Sequence, residues 1–149
     1  QQFDIYWLED PVSYTDNFES MRKIRKNTKL RIAGGEKSNF EDLLTLMKED
    51  LVDVIMPDIK HLGSVTDFMN ISRVAQSFSV TVSPHNPSGP ISTGASAHLC
   101  SLIDNFIFLE FPFAEVEERI DFTDPREPVK EGYNYLDNER SGIGISLNK

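Results

Sequence analysis

Phe3-Asp4-Ile5-Tyr6-Trp7-Leu8-Glu9-Asp10-Pro11 is an apolar, aromatic and β-branched run that stops at two carboxylates and a proline. Residues 3–8 read as a buried strand, and four further short runs of the same kind follow at 30–33, 52–56, 80–82 and 106–109. Between them lie segments with helical spacing. One carries Phe40, Leu43, Leu44 and Met47 behind the cap-like Ser38-Asn39; another carries Val65, Phe68, Met69, Ile71, Val74, Ala75 and Phe78. Strands that alternate with helices, with no hairpin turn between them, imply a parallel sheet covered by helices, an α/β fold. Each run is closed by a polar residue of catalytic type: Glu9, Glu36, Asp58, His85 and Glu110, at intervals of 27, 22, 27 and 25 residues. A doubly wound sheet gathers functional residues at its switch point, whereas a (β/α)₈ barrel sets strand-end residues from successive units around one mouth. The expectation is therefore a TIM-type barrel. A complete one takes about 250 residues, so a chain of 149 residues supplies five strands of the eight. Residues 1–110 read as the C-terminal half of the barrel.

After Glu110 the pattern changes to a Pro/Gly-rich, acidic stretch. Residues 111–149 read as a C-terminal extension that packs back on the barrel or on a capping domain absent from this chain. Gly142-Ile143-Gly144 reads as a turn before a closing strand, being too short and too late for a dinucleotide loop. The sequence opens at Gln1 without an initiator methionine and enters an apolar run within two residues, as a piece cut from a longer protein would. A net charge of -9 and a pI near 4.7, with no Lys/Arg cluster, argue against nucleic acid as a partner. No apolar run approaches the roughly 18–20 residues that span a bilayer and no leader precedes the first strand, so no membrane partner is expected. The single cysteine, Cys100, reads as a buried thiol in a reducing compartment, and the chain as cytoplasmic.

Two carboxylates at neighbouring strand ends, Glu9 and Glu36, suit a hard cation such as Mg²⁺, which takes oxygen ligands and keeps positions for water or substrate. Either acid alone reads equally as a solvated loop residue; their shared phase favours the metal, and two ligands call for a third from elsewhere. Gly34-Gly35 before Glu36 lets the backbone turn tightly beneath it. Asp58, closing Ile55-Met56-Pro57-Asp58, and His85, in Ser83-Pro84-His85-Asn86-Pro87, lie one βα unit apart. A carboxylate that accepts the Nδ1 proton of an imidazole fixes its tautomer and leaves Nε2 free as a general base. The alternative is a structural histidine in a rigid turn. His61 and His98 carry weaker signals, His98 reading as a helix packing residue. Glu110 is placed to orient substrate or donate a proton. There is no serine nucleophile elbow, Walker loop or paired CxxC.

At these residues the sequence resembles the enolase superfamily, in its mandelate racemase branch, over roughly residues 6–110 with a similar tail. Trp7-Leu8-Glu9-Asp10-Pro11 and Gly35-Glu36 resemble the fourth- and fifth-strand metal-ligand motifs, which implies Mg²⁺ on Glu9 and Glu36. Met56-Pro57-Asp58, followed by Gly63, resembles the sixth-strand motif whose aspartate supports the catalytic histidine; the muconate lactonizing branch carries lysine there. Ser83-Pro84-His85-Asn86-Pro87-Ser88-Gly89-Pro90 is similar to the seventh-strand loop of galactonate dehydratase-like members, which implies acid/base catalysis and substrate contact by His85. Glu110 matches the eighth-strand acid that meets substrate or the developing enolate. The resemblance implies abstraction of the proton α to a carboxylate, followed by dehydration of a sugar acid, a lyase reaction; racemisation or epimerisation is the alternative within the branch. A non-catalytic half-barrel that binds a partner or assembles is the alternative of another class. Homo-oligomers are common among resembling proteins, although no subunit count follows from the sequence. The capping domain, the second-strand acid/base motif and the third-strand metal ligand have no counterpart in this chain, so alone it is expected to bind magnesium weakly and not to turn over.

Overall fold

The computed structural model describes residues 3–14, 18–112 and 116–148. Four parallel strands form one sheet in chain order: β1 (Leu8–Glu9), β2 (Ile32–Gly34), β3 (Val54–Ile55) and β4 (Thr81–Val82). The helices between them are α1 (Glu19–Asn27), α2 (Phe40–Lys48), the single turn α3 (Ile59–Leu62), and α4 (Val65–Ser77), with α5 (Pro90–Cys100) after β4. Polar side chains start α2 and α4, at Asn39 as the sequence suggested and at Ser64 in addition. Asn39 accepts the Asp42 N–H at the start of α2, and Ser64 accepts the Asp67 N–H at the start of α4.

Side chains alternate across the strands. Ile32, Val52, Ile55 and Val82 join Leu43, Leu46, Phe68 and Ile71 in the main core under the helices, while Ala33, Val54 and Met56 face the other way and pack with Trp7 and Ile107. The sheet therefore has two apolar faces, as a barrel wall does.

The outer runs pair over less of their length than the sequence suggests. Residues 3–6 carry no ladder, because β2 offers partners only from Arg31 onward, and Phe3, Ile5 and Tyr6 are exposed. The run at 106–109 is reduced to one parallel bridge between Val82 and Phe106. Pro84 has no N–H to continue the ladder, and the Ser83 hydroxyl donates to the Phe108 carbonyl at 3.0 Å. This fifth run and β1 lie at opposite ends of the strand order, which in a flat sheet would separate them by about 19 Å. The Trp7 and Phe108 rings nevertheless lie 6.1 Å apart, and Tyr6 meets both. The sheet is curled.

Beyond the fifth run come a 3-10 turn (Glu117–Asp121), β5 (Thr123–Asp124) and β6 (Val129–Lys130), then β7 (Tyr133–Asn134) and β8 (Ser146–Leu147). β6 and β7 form a hairpin, while β8 returns antiparallel to β5 after the turn at Gly142 and Gly144. This segment lies against α5: Arg119 donates to the Ser88 carbonyl and to Thr93 Oγ1, and Ile145 packs against Gly94.

Candidate active site at the strand ends

β3 runs into Pro57 and delivers Asp58 at the start of α3, where Asp58 Oδ1 caps the helix by accepting the Lys60 N–H at 2.7 Å. One unit later, β4 ends at Ser83-Pro84 and presents His85. Its Nδ1 lies 2.9 Å from Asp58 Oδ2, with Asp58 fully buried and 12% of the His85 side chain exposed. Lys60 Nζ approaches the same carboxylate oxygen at 3.2 Å. Asp58 thus holds the imidazole by one edge while its other contacts keep its own rotamer fixed.

The opposite ring nitrogen is engaged as well. His85 Nε2 lies 3.1 Å from Glu36 Oε2, whereas the sequence reading left Nε2 free. Glu36 leaves β2 through Gly35, whose φ of +101° suits glycine, and its carboxylate finds Lys37 Nζ at 2.9 Å as its other partner. The hydrogen bond from Lys37 holds the Glu36 carboxyl below the usual carboxylate range; burial opposes this, and charge on His85, Lys37 and His61 reinforces it. His61 lies on the exposed side of α3.

Glu110 is tied to the same loop. Its Oε2 accepts the Asn86 N–H at 2.7 Å and its carbonyl accepts from Asn86 Nδ2 at 3.0 Å, so one carboxylate oxygen anchors the residue next to His85. Asn86 is fully buried and also donates to Thr93 Oγ1. Glu9 is exposed, and Trp7 Nε1 donates to its Oε2 at 2.9 Å.

Glu36, Asp58 and His85 therefore form one hydrogen-bonded set, Glu110 adjoins it through Asn86, and Glu9 stands outside it. Among the described residues no three His, Cys, Asp or Glu side chains converge as a metal cluster. Glu9 and Glu36 offer the hard oxygen donors that magnesium prefers, and their donor chemistry fits that ion while their number leaves most of an octahedron to other groups. Asn86 and Lys60 escaped the sequence reading as parts of the site. The only signal for them was nearness in the chain to His85 and Asp58. His98 sits half-buried in α5, and burial pushes the Cys100 thiol up to about 12, which keeps it an unreactive packing group. A hollow of about 660 Å³ lies elsewhere, lined by Ala97, Phe106, Phe108, Val129 and Tyr133.

Parallel strands sheathed in helices define a barrel-type domain, and the Asp-His pair and carboxylates at their C-terminal ends form a candidate site at its mouth. The chain belongs to the enolase C-terminal domain-like family, whose profile matches residues 1–149. It is 38% identical over 106 residues to a D-gluconate dehydratase of Thermoproteus tenax, covering 70% of this chain and 21% of that protein. A mandelate racemase/muconate lactonizing enzyme-like protein from Rubrobacter xylanophilus superposes with a TM-score of 0.89 at 29% identity, over 99% of this chain and 37% of that one. An enolase from Pantoea ananatis with bound D-gluconate and Mg superposes with a TM-score of 0.85 at 27% identity, over 97% of this chain and 35% of that one. The chain thus spans well under half the length of these relatives. Among the described residues no helix is long and apolar enough to cross a membrane.

Proposed function

We propose that this chain supplies the acid/base side of a site that removes the proton α to the carboxylate of a sugar acid and then eliminates the β-hydroxyl. The observation that carries the proposal is the 2.9 Å bond between His85 Nδ1 and the fully buried Asp58. Asp58 fixes the ring so that Nε2 faces the mouth, where it takes the α proton once Glu36 turns away from it. The C–H electron pair passes into an enediolate. His85, now carrying that proton, delivers it to the β-hydroxyl as the carbon–oxygen bond breaks, so water leaves and the resulting enol ketonises to a 2-keto acid. Glu110 holds the His85 loop through Asn86 and faces the substrate with its remaining oxygen. Glu9 and Glu36 would hold magnesium, which when bound supplies positive charge against the second negative charge of the enediolate. The name of the Thermoproteus relative supports a sugar-acid dehydratase over a racemase, and the ligands of the Pantoea structure support a sugar acid as the substrate.

The test is made on the full-length protein that carries this chain, with D-gluconate and related sugar acids in the presence of Mg²⁺. His85→Asn is expected to abolish both exchange of the α proton with D₂O and formation of the 2-keto acid, while leaving the fold intact by circular dichroism. Wild-type rates in that variant would refute the assignment of His85. Exchange with inversion and no loss of water would replace dehydration by epimerisation.

A further inference from the structure

The loop that carries Glu9 and the loop that carries Glu36 are joined by a side chain with no role so far. Backbone pairing between β1 and β2 runs from Leu8 N–H to Arg31 O at 2.8 Å and from Asp10 N–H to Ala33 O at 3.0 Å. A regular parallel ladder would continue from the Gly35 N–H to the backbone of residue 10. The Gly35 N–H instead meets Asp10 Oδ1 at 3.0 Å, and the Tyr14 hydroxyl donates to the same oxygen. Asp10 sits at φ +31°, a backbone that L residues rarely adopt, immediately before Pro11. Gly34 has to be glycine for this to happen, since a Cβ there would overlap Tyr14 Oη and come within 2.7 Å of Asp10 Oδ1. Burial, followed by the hydrogen bond to Asp10 and its charge, pushes the Tyr14 phenol well above its ordinary value, so it stays a donor.

We infer that Asp10 is a positioning residue that sets the spacing of the two proposed metal ligands, by bonding the Gly35 N–H one residue before Glu36 while itself following Glu9. The inference rests on the metal reading above. Its carboxylate takes over where the strand ladder stops, so the two ligands leave the sheet from a joined base instead of from two separate loops. Tyr14 braces the carboxylate from the far side, and Gly34 leaves room for both.

The experiment measures Mn²⁺ binding to the full-length protein by electron paramagnetic resonance of the free ion, with no substrate present. Glu9→Gln and Glu36→Gln are expected to lose binding; if both bind Mn²⁺ as the wild type does, the metal reading fails and this inference falls with it. Given that loss, Asp10→Ala is expected to weaken binding by about tenfold to a hundredfold, the range typical of groups that orient metal ligands. Asp10→Asn, which keeps an acceptor for the Gly35 N–H, is expected to restore most of it. An Asp10→Asn protein as weak as Asp10→Ala would mean that the charge acts rather than the bond, and would overturn the inference. If Asp10→Ala does not fold, Tyr14→Phe decides: weaker binding upholds the clamp, and wild-type binding overturns it.

Discussion

Asp58 answers to two neighbours at once, and substitutions separate them. Its Oδ2 meets His85 Nδ1 and its Oδ1 caps α3 through the Lys60 N–H. Asp58→Asn keeps an oxygen for the cap but presents either a neutral acceptor or an N–H to the ring, which favours the wrong tautomer. It should lower the rate of α-proton exchange in the full-length protein by about a hundredfold to ten-thousandfold, with little change in melting temperature. Asp58→Ala should lose the same activity and about 1 kcal/mol of stability in addition, through the missing cap. Thermal melts and exchange rates measured on both variants test the split, and unchanged exchange in Asp58→Asn would remove Asp58 from the site. At this scale the sequence was informative for residues that end strands. It was silent about Asn86 and Lys60, because a neighbour in sequence acquires its partner only when the loop folds.

The elements are tied together by charges as well as by the core. Arg25 on α1 reaches Asp53 at 2.7 and 3.1 Å, and Asp53 also accepts the Ile32 N–H at 2.8 Å, so one carboxylate joins helix, strand and the start of β3. Burial raises the Asp53 carboxyl, but the bonds from Arg25 and Ile32 with the charges of Arg25 and Arg31 outweigh it and hold the group below its ordinary value. A carboxyl lowered in the folded state stabilises fully above its unfolded value, about pH 4, and that contribution is lost as pH falls through the folded value. Urea midpoints measured between about pH 6 and pH 2.5 should therefore drop more steeply for the wild type than for Asp53→Asn; parallel curves would show that the link contributes nothing. The helix behind Asn39 was legible from cap and spacing, and the one behind Ser64 from spacing alone. The strands were legible as runs but not in their paired length, because pairing depends on the neighbour: residues 3–6 have no partner in β2, and Pro84 interrupts the fifth run.

Across the whole molecule, the segment after the barrel strands bears on the site through Arg119. Its guanidinium binds Glu127, the Ser88 carbonyl and Thr93 Oγ1; Thr93 holds Asn86, and Asn86 holds Glu110. The Arg119 and Glu127 side chains are 11% and 7% exposed. Arg119→Ala leaves a buried carboxylate uncompensated and is expected to cost about 3 kcal/mol in urea unfolding. The double variant Arg119→Met with Glu127→Leu should recover much of that loss, and equal stability of single and double variants would show that the pair is not coupled.

The sequence by itself determined the class of fold, the order of the units and the five residues that close the strands, because hydrophobic period and chain spacing are local properties. It also carried the family resemblance, since the motifs are contiguous. Only the tertiary structure decided that Glu36 reaches His85 Nε2, that one Glu110 oxygen serves Asn86, that the Asp10 carboxylate takes the Gly35 N–H and that the sheet curls to bring Trp7 against Phe108. Each of these joins residues far apart in the chain or turns a side chain through angles that spacing does not encode. They follow from strand twist, proline-terminated ladders and the competition of buried groups for a limited set of partners.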